Sequence, residues 1–217
     1  MKRLPPEEIE EVHVNKVYDE IASHFDHTRY KPWPGVRNFV SSLEPNSLLL
    51  DLGCGNGRNL CINPKVIDMA SDMSMPLCQI ASKRGRPVFC ATGVNIPIRD
   101  NTFDHVICIA VIHHFASAER RIQCLKEISR ILKVGGTAFV TAWAIEQKSK
   151  EQYDQADQMI PWTIDKRFGD SSKKLERFYH LFEKGEFAQL VKDIDSLELL
   201  SEEWEKDNWN ATFKKLH

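Results

Sequence analysis

Residues Leu49-Leu50-Asp51-Leu52-Gly53-Cys54-Gly55-Asn56-Gly57-Arg58 carry an apolar run straight into a turn with glycine at every second position. Few features restrict a fold more. Such a run reads as a buried strand entering a tight turn, and in a parallel α/β sheet the first strand-to-helix turn is where an adenosine-type ligand sits, because glycine lets backbone approach it. From Ser47 onward the alternation continues. Leu48 to Leu52, Val66 to Ala70, Pro87 to Ala91, Phe103 to Val111 and Thr137 to Trp143 are predicted strands, and Pro76 to Lys83 and Ala118 to Leu132 are predicted helices. Strand and helix in series predict an α/β fold with a parallel, doubly wound sheet covered on both faces.

The flanks differ from this middle. Pro5 and Pro6, then Glu7, Glu8, Glu10 and Glu11, precede Val12, Val17, Ile21, Ala22 and Phe25 at helical spacing, which predicts an amphipathic helix. The stretch Thr28-Arg29-Tyr30-Lys31-Pro32-Trp33-Pro34 cannot continue that helix, since two prolines restrict themselves and their predecessors, and is expected as an ordered loop. Ile145 to Glu176 is polar and charged apart from Met159-Ile160-Pro161-Trp162 and is expected as an insertion over the sheet's carboxyl edge. A helix near Gly185 to Lys192 and strands near Leu197 to Glu205 and Trp209 to Lys214 close the chain. With 217 residues and no internal repeat, the chain is expected as one domain: 1–45 N-terminal helices and loop, 46–145 ligand-binding half, 146–217 insertion and closing strands.

Net charge is −2, from 29 basic and 31 acidic residues, with 42% hydrophobic residues. That excludes a disordered polyelectrolyte and a generally basic nucleic-acid coat. The longest apolar run, Val106 to Ile112, is far short of the roughly 20 residues of a membrane span. The first eight residues have no apolar stretch behind Lys2 and Arg3, so no signal or transit peptide is expected. Cys54, Cys61, Cys78, Cys90, Cys108 and Cys124 are spread singly, and are expected as reduced core thiols of an intracellular protein, with no metal site.

The NAD fingerprint needs glycine where Arg58 stands. Gly53 and Gly55 in Gly-x-Gly-x-Gly, with Asp51 two residues before, instead suit S-adenosylmethionine. That ligand has an ammonium group and no pyrophosphate, so a carboxylate near the turn helps it. Asp72, at the end of the next predicted strand, is placed to accept ribose hydroxyls. The ordinary alternatives are a tight turn for the glycines and a helix N-cap for Asp72. The strand from Asp104 delivers His113 and His114 to the same edge; adjacent residues of a strand point oppositely, so the two are not expected to share a metal. Trp143 ends the fifth strand at that edge. The alternative is packing for one histidine and a cap on the following helix for the other, and a core aromatic for Trp143. Two clusters, Arg29, Tyr30, Lys31, Trp33 with Arg37, and Lys173, Lys174, Arg177, Phe178, Tyr179, His180, join cations to aromatic faces as single-stranded RNA sites do, or are solvated surface.

Taken together, Val14 to Ala22, Thr28-Arg29-Tyr30 with Pro32-Trp33-Pro34, the DLGCGNGR turn, Ile109 to Phe115, Ala118-Glu119-Arg120-Arg121, Trp143 to Gln147, Pro161-Trp162, Phe178-Tyr179-His180 and Asn208-Trp209 form a set. This set resembles the eukaryotic tRNA wobble-uridine carboxymethyl methyltransferases, both the stand-alone fungal-type enzyme and the methyltransferase domain of the AlkB-homologue fusion protein. The resemblance implies a class I (Rossmann-like) methyltransferase fold whose last strand is antiparallel. It implies methyl transfer from S-adenosylmethionine to the carboxylate of carboxymethyluridine at the tRNA anticodon. It also implies a small zinc-binding activator subunit in a heterodimer and a cytoplasmic location compatible with a nuclear pool. On the cofactor side it points to Asp51, Gly53, Gly55, Asp72, Thr92 and Gly93, and on the substrate side to Arg29, His113, His114 and Trp143. Thr92 stands where the family commonly has an aspartate for the adenine amino group, and the stretch from Gln147 to Pro161 is shorter than in some relatives. The glycine turn is equally compatible with a small-molecule methyltransferase, and the Thr92 departure with a non-catalytic S-adenosylmethionine-binding scaffold.

Overall fold

The computed structural model describes residues 4–29, 31–148, 153–168 and 174–217. Tyr30 and Lys173 of the two basic clusters lie outside them, as do four residues of the expected insertion at 149–152 and its residues 169–172.

The chain opens with α1 (Pro6–Glu10), a π-helical turn (Glu11–Asn15) and α2 (Lys16–Thr28), which follow one another without a break. Helix α3 (Pro34–Ser41) begins at the last proline of the loop, where a fixed φ and a missing N–H cost a helix least. Then come β1 (Leu48–Leu52), β2 (Ile67–Asp72), α4 (Met75–Ser82), β3 (Val88–Cys90), β4 (Phe103–Ile109), α5 (Ala118–Ile131) and β5 (Leu132–Trp143). Ser74 caps α4 by accepting from Leu77 N, and Ser117 caps α5 by accepting from Arg120 N.

The hairpin strands β6 (Asp157–Thr163) and β7 (Lys174–His180) follow, then α6 (Glu186–Val191), β8 (Leu197–Glu205) and β9 (Asn208–Lys215). Among the described residues the main sheet has seven strands in the order β3-β2-β1-β4-β5-β9-β8. β1 to β5 are mutually parallel, and β9, the last strand, runs antiparallel to both neighbours. The chain leaves β1 outward to β2 and β3, then returns to β4 on the other side of β1. That reversal opens a crevice beyond the carboxyl ends of β1 and β4, the place where open α/β sheets bind ligands.

Alternation along the central strands sorts the core into two layers. Leu50, Leu52, Val106, Cys108, Ala138 and Val140 pack with Leu125, Ile128 and Phe187 of α5 and α6. Leu49, Ile107, Ile109 and Phe139 pack with Val36 and Val40 of α3. By the same alternation Asp51 shares the α3 side with Leu49, beneath the glycine turn.

Two expectations need correction. The fourth strand ends at Ile109, two residues early: Ala110 takes φ 59° and donates its N–H to Thr141 at the end of β5. A tight 3-10 turn over Ile112–His114 follows. His113 and His114 therefore do not diverge along a strand, and their ring centres are 4.5 Å apart. The insertion contains the hairpin β6–β7, which packs through Ile164, Trp162 and Leu175 against Val17, Ile21, Tyr18 and Phe25 of α2. Its strands lack a clean apolar alternation because their inner neighbours include an aromatic and polar helix face rather than the main core.

Candidate active site

A cavity of about 380 Å³ occupies the crevice, within the usual range for small-ligand sites. One side is built by the turn after β1. Gly53 sits at φ 73°, and a Cβ there would collide with the side chain of Val111, itself a cavity wall. Gly55, at φ 55°, is crowded less severely by the Phe25 ring of α2, 2.9 Å from where its Cβ would be. The glycines thus do more than admit a ligand: they let two walls close on the turn.

Asp72 ends β2 and lines the cavity. Its carboxylate accepts from Gly55 N at 2.8 Å and Ser74 N at 2.9 Å, which ties the turn to the start of α4. Burial pushes its carboxyl group above the ordinary range, opposed by those backbone N–H groups. A carboxylate has about four acceptor positions, so roughly two remain for hydroxyl groups. Thr92 and Gly93, just past β3, line the same end with Phe115. The donor set fits S-adenosylmethionine: a carboxylate for ribose, a crowded glycine turn, and an apolar ring beside Thr92.

Asp51 behaves differently. It is 1% exposed and is not a cavity wall. Burial raises its carboxyl group to about 7, opposed first by the Arg58 guanidinium and then by Asn59. Asn59 is near enough to favour the charged form, yet neither carboxylate oxygen has a partner of good hydrogen-bond geometry. Arg58 lies over the Trp33 ring at 5.1 Å, and burial lowers it to about 10.

The opposite side is aromatic. Tyr18, Phe25 and Arg29 recur at one face of α2 and its end, and all three line the cavity with His114, Trp143 and Tyr179. Arg29 packs on Phe25 at 5.3 Å; among the described residues the hydrogen bonds of its guanidinium are 3.4 Å contacts to its neighbour Thr28. Trp143 lies 4.7 Å from the Tyr179 ring.

His114 donates from Nδ1 to the Phe178 carbonyl at 2.8 Å, so its Nε2 accepts from the Tyr18 hydroxyl at 2.9 Å. Burial lowers it to about 3, and the ring is neutral at pH 7. His113 is fully buried and outside the cavity lining. Its Nδ1 accepts from Trp143 N at 3.0 Å and its ring stacks on Tyr179 at 4.7 Å, so it backs the site rather than facing it.

Glu10 closes the top. It is 6% exposed, and its two oxygens accept from Arg120 Nε and Nη2, both at 2.7 Å, while Oε1 also takes Ala116 N. This pins the π-helical turn, whose Val14 and Asn15 line the cavity, to the start of α5.

The second expected RNA cluster does not form a patch. Arg177, Phe178 and Tyr179 are buried under α2, and His180 is held between Asp157 and Glu186. Of its described members only Lys174 is exposed. Expecting Arg177 and Tyr179 in an RNA-binding or solvated cluster misses them as residues of this cavity; the signal available was the helical spacing of Tyr18, Phe25 and Arg29, which needs an aromatic partner. Among the described residues, no group of three or more His, Cys, Asp or Glu side chains could hold a metal ion.

The methyltransferase domain family matches residues 50–140. The tRNA (carboxymethyluridine(34)-5-O)-methyltransferase of Schizosaccharomyces pombe is 39% identical over 220 residues, covering 93% of this chain and 96% of that protein. The tRNA (carboxymethyluridine(34)-5-O)-methyltransferase alkbh8 of Xenopus tropicalis is 31% identical over 96% of this chain, which spans 41% of that longer protein. Among solved structures, the CcbJ methyltransferase from Streptomyces caelestis superposes with a TM-score of 0.75 at 12% identity, over 94% of this chain and 99% of that one, a likeness of fold.

Proposed function

The chain belongs to the tRNA (carboxymethyluridine(34)-5-O)-methyltransferase family, and we propose on that premise that it methylates the carboxylate of carboxymethyluridine at the tRNA wobble position, giving the methyl ester. The observation that carries this reading is the aromatic side of the cavity. Arg29 has no carboxylate within ion-pair distance among the described residues, and it shares the cavity with the flat faces of Tyr18, Tyr179 and Trp143. A guanidinium beside aromatic rings suits an anionic group on an unstacked base.

S-adenosylmethionine is the cofactor, and when bound it supplies a methyl group on a sulfonium centre. Asp72, Gly53, Gly55, Thr92 and Gly93 would hold it. The substrate carboxylate is ionised at neutral pH, so the residues need not remove a proton. Their work is alignment and exclusion of water, which can contribute several kcal/mol. Arg29 orients the carboxylate, Trp143 stacks on the base, and neutral His114 fixes the Tyr18 hydroxyl. His113 holds Trp143 through its backbone N–H.

The finer reading includes a small zinc-binding activator subunit covering an apolar sheet edge. What supports it is the three-residue edge strand β3, with Met73 and Met75 exposed beside it at 46% and 52%. A cytoplasmic location, compatible with a nuclear pool, is supported by six free thiols. Among the described residues no helix is long and apolar enough to cross a membrane.

The test compares two anticodon stem-loop RNAs, one with carboxymethyluridine and one with plain uridine at the wobble position. Methyl transfer to the first alone is expected; equal transfer to both would sink the reading.

A further inference from the structure

Arg177 is a buried charge with no counter-ion among the described residues. It is 4% exposed, no carboxylate pairs with it among the described residues, and its Nε has no hydrogen-bond partner. An isolated buried ion is costly unless other groups take over the role of water. Here the compensation is aromatic. The guanidinium lies 4.6 Å from the Trp162 ring centre, 5.1 Å from Tyr179 and 6.0 Å from Tyr18. Its Nη1 donates to the Tyr179 hydroxyl oxygen at 2.7 Å and to that of Tyr18 at 3.4 Å.

Counting protons shows what this arrangement leaves over. His114 spends its Nδ1 proton on the Phe178 carbonyl, so Tyr18 must give its own proton to His114 Nε2. Tyr179 accepts from Arg177, and among the described residues its own proton has only the Tyr18 oxygen, 3.5 Å away, as acceptor. Tyr179 is thus a cavity wall whose hydroxyl is polarised by a guanidinium and whose proton is nearly uncommitted. Hydrogen bonds in such chains strengthen one another, and those with an ionised member are the strong ones.

We propose that Arg177 is a positioning residue that makes the Tyr179 hydroxyl a donor to the substrate carboxylate alongside Arg29, so that the enzyme selects an anionic carboxymethyl group over neutral analogues. This rests on the function proposed above. A phenol holds a carboxylate oxygen without neutralising it, which keeps the nucleophile reactive. When that oxygen becomes part of a methyl ester the charge is gone, and the same donor then favours release of the product.

The experiment measures binding of two anticodon stem-loop RNAs to the full chain loaded with S-adenosylhomocysteine. One RNA bears carboxymethyluridine and the other its neutral isostere, carbamoylmethyluridine. Wild type is expected to prefer the acid by about tenfold or more, the scale of one hydrogen bond to a charged group. Tyr179→Phe, which keeps the ring, and Arg177→Met should each cut that preference to about threefold or less. Affinity for the neutral RNA should stay within about twofold, a pattern that a merely structural lesion does not give. Arg177→Lys should retain more of the preference than Arg177→Met. Should Arg177→Met fail to fold, Tyr179→Phe decides alone. Undiminished preference in Tyr179→Phe overturns the proposal while leaving the functional reading intact. A wild type that neither prefers the acid nor methylates it overturns both.

Discussion

Asp51, next to last in β1, and Asp72, last in β2, both lie by the glycine turn, yet their surroundings assign them different work. Asp72 faces the cavity with two backbone N–H groups already bound. Asp72→Asn replaces an acceptor by an amide N–H that meets those donors, and the dissociation constant for S-adenosylmethionine should rise at least about tenfold by calorimetry. Asp51→Asn should change it less than about threefold, because Asp51 lies beneath the turn. Its effect belongs to stability. In the unfolded chain Asp51 ionises near its ordinary 3.8, and in the fold only near 7. Between those values the folded state binds the extra proton, so this residue's contribution falls as pH rises from about 4 to 7. The stability gain of Asp51→Asn in urea titrations should therefore grow across that window and level off above it, reaching a few kcal/mol in order of magnitude. A pH-independent difference would contradict the assignment. His114 runs the other way: held neutral down to about 3, it stabilises the fold above its unfolded value of 6.5, and that contribution is lost as pH falls from there towards 3.

At the level of elements, the parallel strands and their helices were legible because both faces are apolar and the alternation of strand and helix is regular. The ends were less so. The fourth strand stops at Ile109 because Ala110 turns to φ 59° while its N–H is held by Thr141 of a neighbouring strand, a contact no local pattern encodes. The hairpin β6–β7 was hidden because Arg177 and Tyr179 are polar, and polar residues in a strand normally face water. The glycine turn and Asp72 were found in the sequence; Tyr18, Tyr179 and the pairing of Glu10 with Arg120 needed the third dimension, being joined across 96 to 161 positions. That last pair makes the N-terminal helix a fastened cover. Removing it by Arg120→Ala leaves Glu10 buried without its charge partner, a loss of about 3 kcal/mol or more if the cover stays shut. The cover is expected to loosen instead, with release of cofactor in stopped-flow experiments at least about fivefold faster. An unchanged release rate would mean that the helix does not gate the cavity.

For the whole molecule, a net charge of −2 sets a limit on what the chain does alone. Phosphate contacts dominate tRNA affinity, and here they must come from local residues such as exposed Lys31 and Arg37 or from a partner. Specificity then rests on the cavity, where Arg29 is predicted to matter for turnover and not for cofactor: Arg29→Ala should lower kcat about tenfold or more with the S-adenosylmethionine dissociation constant within about twofold. Unchanged turnover would remove Arg29 from the site. The most direct measurement is transfer of labelled methyl from S-adenosylmethionine to tRNA bearing carboxymethyluridine, with and without a zinc-binding activator subunit, followed by mild alkali. An ester made on the substrate carboxylate gives label that alkali releases as methanol. Label that survives alkali would place the methyl on a base or ribose and contradict the account, as would cofactor binding with no label transferred in either condition.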